Sequence, residues 1–63
     1  MFTHIPVGSI IIAKTNNIPY LVVRDVSLHS TEPIIEVRSI EIPEYTFNLI
    51  VIGMHKNLWE VIT

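Results

Sequence analysis

Between Val7 and Val26 the chain reads V-G-S-I-I-I-A-K-T-N-N-I-P-Y-L-V-V-R-D-V, two apolar and mostly β-branched runs parted by Lys14, Thr15, Asn16 and Asn17. β-branched residues favour extended backbone, and a short polar break between two such runs is the pattern of a hairpin. Asparagine tolerates the positive φ that tight hairpin turns demand, so residues 14–17 are the expected turn. Pro19 then belongs at the first residue of the returning strand, where a missing N–H matters least.

The remaining segments read the same way. A first strand is expected over residues 9–14, and its three consecutive isoleucines imply that both faces are at least partly covered. Pro6 ends a short lead-in, and Val7-Gly8 turns the chain into that strand. A second strand is expected over 20–28, with Arg24 on the face of Tyr20 and Val22. A polar loop over 29–33 leads to a third strand from Ile34, whose Ile35 and Val37 alternate with Glu36 and Arg38. The next apolar residues are Ile40 and Ile42, out of phase with that alternation, which predicts a β-bulge near Arg38 and Ser39. Pro43-Glu44 marks a corner, a fourth strand is expected over 45–52, a turn over 53–57 and a short closing strand over 58–62. No stretch carries a capped 3.6-residue apolar period; at most one helical turn is expected, around residues 55–58.

Sixty-three residues hold a single domain, spanning 1–63. With no cysteine there are neither disulfides nor thiolate metal sites, which suits a reducing cytoplasm. A hydrophobic fraction of 49% and mean hydropathy of +0.49 are high for so short a chain. No apolar run approaches the roughly 20 residues of a membrane-spanning helix, and the N-terminus lacks the basic start and apolar centre of a secretory signal. The expectation is therefore a compact β core with no membrane role, part of whose apolar surplus is sealed by self-association or by a partner.

Five short strands, bulged and joined by polar turns, are the ingredients of a small, strongly bent, closed or nearly closed barrel. Val7-Gly8 entering the first strand, Pro19-Tyr20-Leu21-Val22-Val23 after the turn and the closing Leu58-Trp59-Glu60-Val61 resemble the SH3-like small barrels, including short modules of bacteria and their phages. The resemblance covers most of the chain. It implies an interaction module and carries no binding site with it. The acidic and aromatic first loop and the paired groove residues of peptide-binding SH3 domains are missing here.

Catalytic and metal chemistry find little footing. His4, His29 and His55 are far apart and form no ligand pair at metal-binding spacing. Asp25, Ser27, His29, Ser30 and Glu32 supply the letters of a hydrolase triad without a pocket to serve. Only Gly8 and Gly53 are present, too few for a phosphate loop. The expectation is a non-enzymatic protein that needs no cofactor.

Contact chemistry is better represented. Phe2, Tyr20, Tyr45, Phe47 and Trp59 can all be core, and Phe47 is assigned there; Tyr45 and Trp59 lie near loop ends where a ring can anchor a partner, although for Trp59 the core is the favoured place. With Glu44, His55 and Lys56 they form the candidate partner-binding set. Glu32, Glu36, Glu41, Glu44 and Glu60 fall in the later half of a chain of net charge −2; most alternate with apolar positions as a solvated strand face would, and the functional alternative is an acidic surface that meets a basic groove. These features point to a protein–protein interaction module that forms a homodimer or joins a complex, of the kind a phage would encode to inhibit or modulate a host protein in the host cytoplasm. Two alternatives follow from the same residues. One is a nucleic-acid-binding barrel stacking bases on Tyr20, Tyr45, Phe47 or Trp59 beside Lys14, Arg24, Arg38 and Lys56, which the net charge disfavours. The other is a minor structural or assembly subunit. Whether Ile11, Ile50, Ile52 and Trp59 stay exposed bears on all three.

Overall fold

The computed structural model describes residues 2, 4–27 and 31–62. The chain is all-β: β1 (Ile10–Ala13), β2 (Ile18–Asp25), β3 (Ile34–Ser39), β4 (Thr46–Ile50) and β5 (Trp59–Ile62) form one antiparallel sheet in the order β4-β3-β2-β1-β5. A single 3-10 turn, Val51–Gly53, separates β4 from β5.

The hairpin forms as its residues dictate. Ala13 pairs with Ile18 and Ile11 with Tyr20, and the Ala13 carbonyl accepts from the amides of Asn16 and Asn17. Asn17 takes a φ of 59°, the left-handed region that asparagine tolerates, and Asn16 Oδ1 accepts from the Ile18 amide. Pro19 is the second residue of β2 and sits opposite Ile12, one place later than expected.

Strand alternation divides the sheet into two faces. Ile11 and Ala13, Tyr20 and Val22, and Ile35 and Val37 point inward and are buried, with Ile5, Val51 and Met54 completing the core. Phe47, Leu49, Trp59 and Val61 pack against it from the two edge strands. The Tyr20 ring on β2 meets Phe47 of β4 and Trp59 of β5, so both edges curl toward the centre. Among the described residues no ladder joins β4 to β5; side chains bridge that gap.

The bulge lies elsewhere than expected. It falls in β2 between Val22 and Arg24, while β3 keeps its phase through a buried Ser39. The physical reason is Arg24. Continued alternation from Tyr20 and Val22 would aim its guanidinium into the core, where an unpaired charge is very costly. The extra residue, Val23, turns Arg24 outward to pair with Glu36, Nε to Oε1 at 2.7 Å.

Ile40 and Ile42 are accordingly loop residues, 47% and 54% exposed. The fourth strand ends at Ile50 and not Ile52, because the chain tightens into the 3-10 turn that buries Val51. The segment over 55–58 is only a hydrogen-bonded turn, with the His55 carbonyl accepting from the amides of Leu58 and Trp59. The second strand stops at Asp25, and its expected end, Leu28, lies outside the described residues together with His29 and Ser30.

Candidate interaction surface

Antiparallel order places three turns at one end of the sheet: residues 14–17, residues 40–45 and the turn leading into β5. They are tied together there. Lys14 donates from its amide to the Leu58 carbonyl at 2.8 Å and from Nζ to the Lys56 carbonyl at 2.9 Å, and the Ile40 amide donates to Pro19.

This end gathers the residues expected to bind a partner. Tyr45 is 55% exposed and its ring leans on Phe47, with centroids 5.6 Å apart. Phe47 meets Tyr20 edge to face at 5.1 Å, and Tyr20 meets Trp59 at 6.2 Å. Tyr45 and Trp59 thus terminate one continuous aromatic row, held by geometries that favour ring pairs. Trp59 is half-buried; Glu44, His55 and Lys56 are exposed on the flanking turns.

The β3–β4 turn is the more unusual feature. Residues 40–45 are all exposed, and Ile40, Ile42, Pro43 and Tyr45 make most of that surface apolar. The turn is nonetheless well braced. Tyr45 donates its amide to the Ile42 carbonyl, Ser39 donates its amide to Tyr45, and the buried Ser39 hydroxyl accepts from the Ile42 amide at 3.0 Å. Glu41 and Glu44 flank the apolar residues, and neither carboxylate has an ion-pair or hydrogen-bond partner among the described residues. Sequence reasoning missed Ile40 and Ile42 as surface residues. The available signal was that Ser39 completes the inward set begun by Ile35 and Val37.

The basic residues do not assemble. Arg24 is paired with Glu36, Arg38 lies on the outer face and only Lys14 and Lys56 stand at the aromatic end. Tyr20 is 8% exposed and wedged between Phe47 and Trp59, so its ring is committed to packing. Of the other residues weighed from sequence, Ile11 is fully buried, whereas Ile50 and Ile52 are 47% and 40% exposed. Among the described residues no three of His, Cys, Asp and Glu converge, and His4 and His55 are both exposed. Among the described residues no helix is long and apolar enough to cross a membrane. No family model, characterised protein or solved structure matches the chain.

Proposed function

We propose that the chain is an SH3-like small barrel that works as a non-enzymatic protein–protein interaction module, self-associating and contacting a further protein through its loop end. The observation that carries this reading is the braced, exposed turn over 40–45, whose apolar residues and unpaired Glu41 and Glu44 suit an apolar cleft rimmed by basic side chains. A rigid apolar tip loses little conformational freedom on docking, which favours its use as an anchor. The resemblance that motivates the barrel assignment is supported by the Val7-Gly8 entry, the Pro19-Tyr20 strand and the short closing strand beside β1. Small size and a net charge of −2 suit a phage-encoded inhibitor or modulator acting in a host cytoplasm.

Capture from a bacterial host extract tests the reading, comparing the wild type with Ile42→Asp and Tyr45→Ala. A specific protein retained by the wild type and released by both variants supports it. Identical retention on all three baits counts against it. Salt-sensitive recovery of nucleic acid instead would favour the alternative barrel function.

A further inference from the structure

The outer face of the sheet carries its own complement. β5, β1, β2 and β3 are consecutive, and their registers align Ile62, Ile10, Leu21 and Arg38 in one cross-strand row; Ile12 and Glu60 pair two residues along. These side chains point away from the core because Ile11, Val22, Val37 and Val61 point into it. Leu21 is 37% and Ile62 46% exposed, and Ile10 and Ile12 are half-buried. The result is an apolar strip with Glu60 at its β5 end and Arg38 at its β3 end. Neither of those charges has a partner among the described residues, whereas Arg24 and Glu36 on the same face satisfy each other.

We infer that this face binds a second copy of the chain, two sheets stacked face to face about a two-fold axis that runs along the strands between β1 and β2. Such an axis exchanges the two ends of the strip. Ile10 of one copy lands on Leu21 of the other, and Arg38 of each lands on Ile62 of the other, from where its long side chain reaches Glu60 two residues along β5. A contact that pairs both charges twice and covers the apolar strip is what an isologous interface requires. A chemically different partner would need no such internal symmetry of charge. Four strands at about 4.8 Å spacing make a face only about 19 Å wide. The contact therefore belongs at the small end of specific interfaces, below about 1,200 Å² in total, and the dimer is expected to dissociate in the micromolar range. The inference rests on the self-association half of the proposed function and leaves the loop end free.

Sedimentation equilibrium over about 5–500 µM reads it directly, since dimerisation is a mass-action equilibrium. The wild type should move from 7.2 kDa toward twice that mass. R38E and E60R should each weaken dimerisation about tenfold or more, because each sets like charges against each other twice. An equimolar mixture of R38E and E60R should dimerise at least as well as the wild type, since the opposite charges then meet again, and recovery also shows that both variants are folded. L21E should abolish association. A wild type that stays at 7.2 kDa, a dimer indifferent to L21E, or a mixture that remains monomeric overturns the inference. None of these failures touches the loop-end reading, which Ile42→Asp and Tyr45→Ala test separately.

Discussion

The inner and outer faces of the sheet are built from the same kinds of residue and meet different fates. On β1, Ile11 is fully buried while its neighbours Ile10 and Ile12 are only half-covered; on β2, Val22 is buried and Leu21 is exposed. Hydrophobicity alone does not separate them. What separates them is the two-residue period of the strand together with the curl of the sheet, which closes one face over Val51 and Met54 and leaves the other open. Apolar content is thus a poor guide to the core in a chain this short. The register decides, and whatever sets the register decides what is left for association.

Removing the same atoms from each face should have very different consequences. Ile11→Ala should cost about 2–5 kcal/mol, the range for truncating a buried isoleucine, because it takes away both transfer energy and packing. A small domain has little more than that in total, so much of this variant should be unfolded in water. Ile62→Ala should stay within about 0.5–1 kcal/mol at concentrations too low for association, as surface substitutions do. Urea unfolding followed by the fluorescence of Trp59, the chain's single tryptophan, measures both. Equal losses would mean that the outer face is already covered within one chain.

The next largest effect lies in the turn that holds the register. Asn17 occupies the left-handed region, where a side chain with a Cβ and no compensating polar group is strained by roughly 1–2 kcal/mol. Asn17→Ala should lose about 1 kcal/mol, and Asn17→Gly should match or slightly exceed the wild type, since glycine takes positive φ freely. A slip of one residue at this hairpin would exchange the two faces of β1 or β2, sending Ile10 inward and Ile11 out. If the alanine variant were as stable as the glycine variant, the turn would not be what fixes the faces.

This hairpin is also where the sequence was most readable. Asparagine pairs and β-branched runs act locally, so turn, strands and all-β class follow from neighbours in the chain. The bulge was misplaced for a different reason. Its cause is a conflict between Arg24 and the inward face, which appears only once Tyr20 and Val22 are known to face the core. Ile40 and Ile42 were misassigned because alternation continues past the end of a strand as readily as along it. The candidate site was half legible: Tyr45 and Glu44 follow a proline corner that marks a turn, but that the turns at 40–45 and 55–58 share one end depends on sheet order. The self-complementary strip was not legible at all, since Arg38 and Glu60 are brought onto one face by pairings of distant segments.

The smallest expected effect lies at the border between the faces. After the bulge Asp25 stands opposite Ile35, at the exposed end of β2, where its carboxylate accepts from the Ser27 hydroxyl and from the Ser27 amide at 2.9 Å. The hydroxyl hydrogen bond first, and then the amide bond, hold this carboxyl below its ordinary value, helped by the nearby His4 and opposed by slight desolvation. A carboxyl depressed in the folded state adds stability above its unfolded value, and loses it as the pH falls through the lower folded one. Acid should therefore loosen the rim at Asp25 without altering the apolar faces. Ser27→Ala removes the larger cause, so its urea midpoint should fall less steeply than the wild type's as the pH drops through and below the ordinary carboxylate range, and it should be slightly less stable at neutral pH. Parallel acid limbs in the two proteins would show that Asp25 gains nothing from the Ser27 hydroxyl, whose contribution would then lie in accepting the Ile34 amide at 3.2 Å.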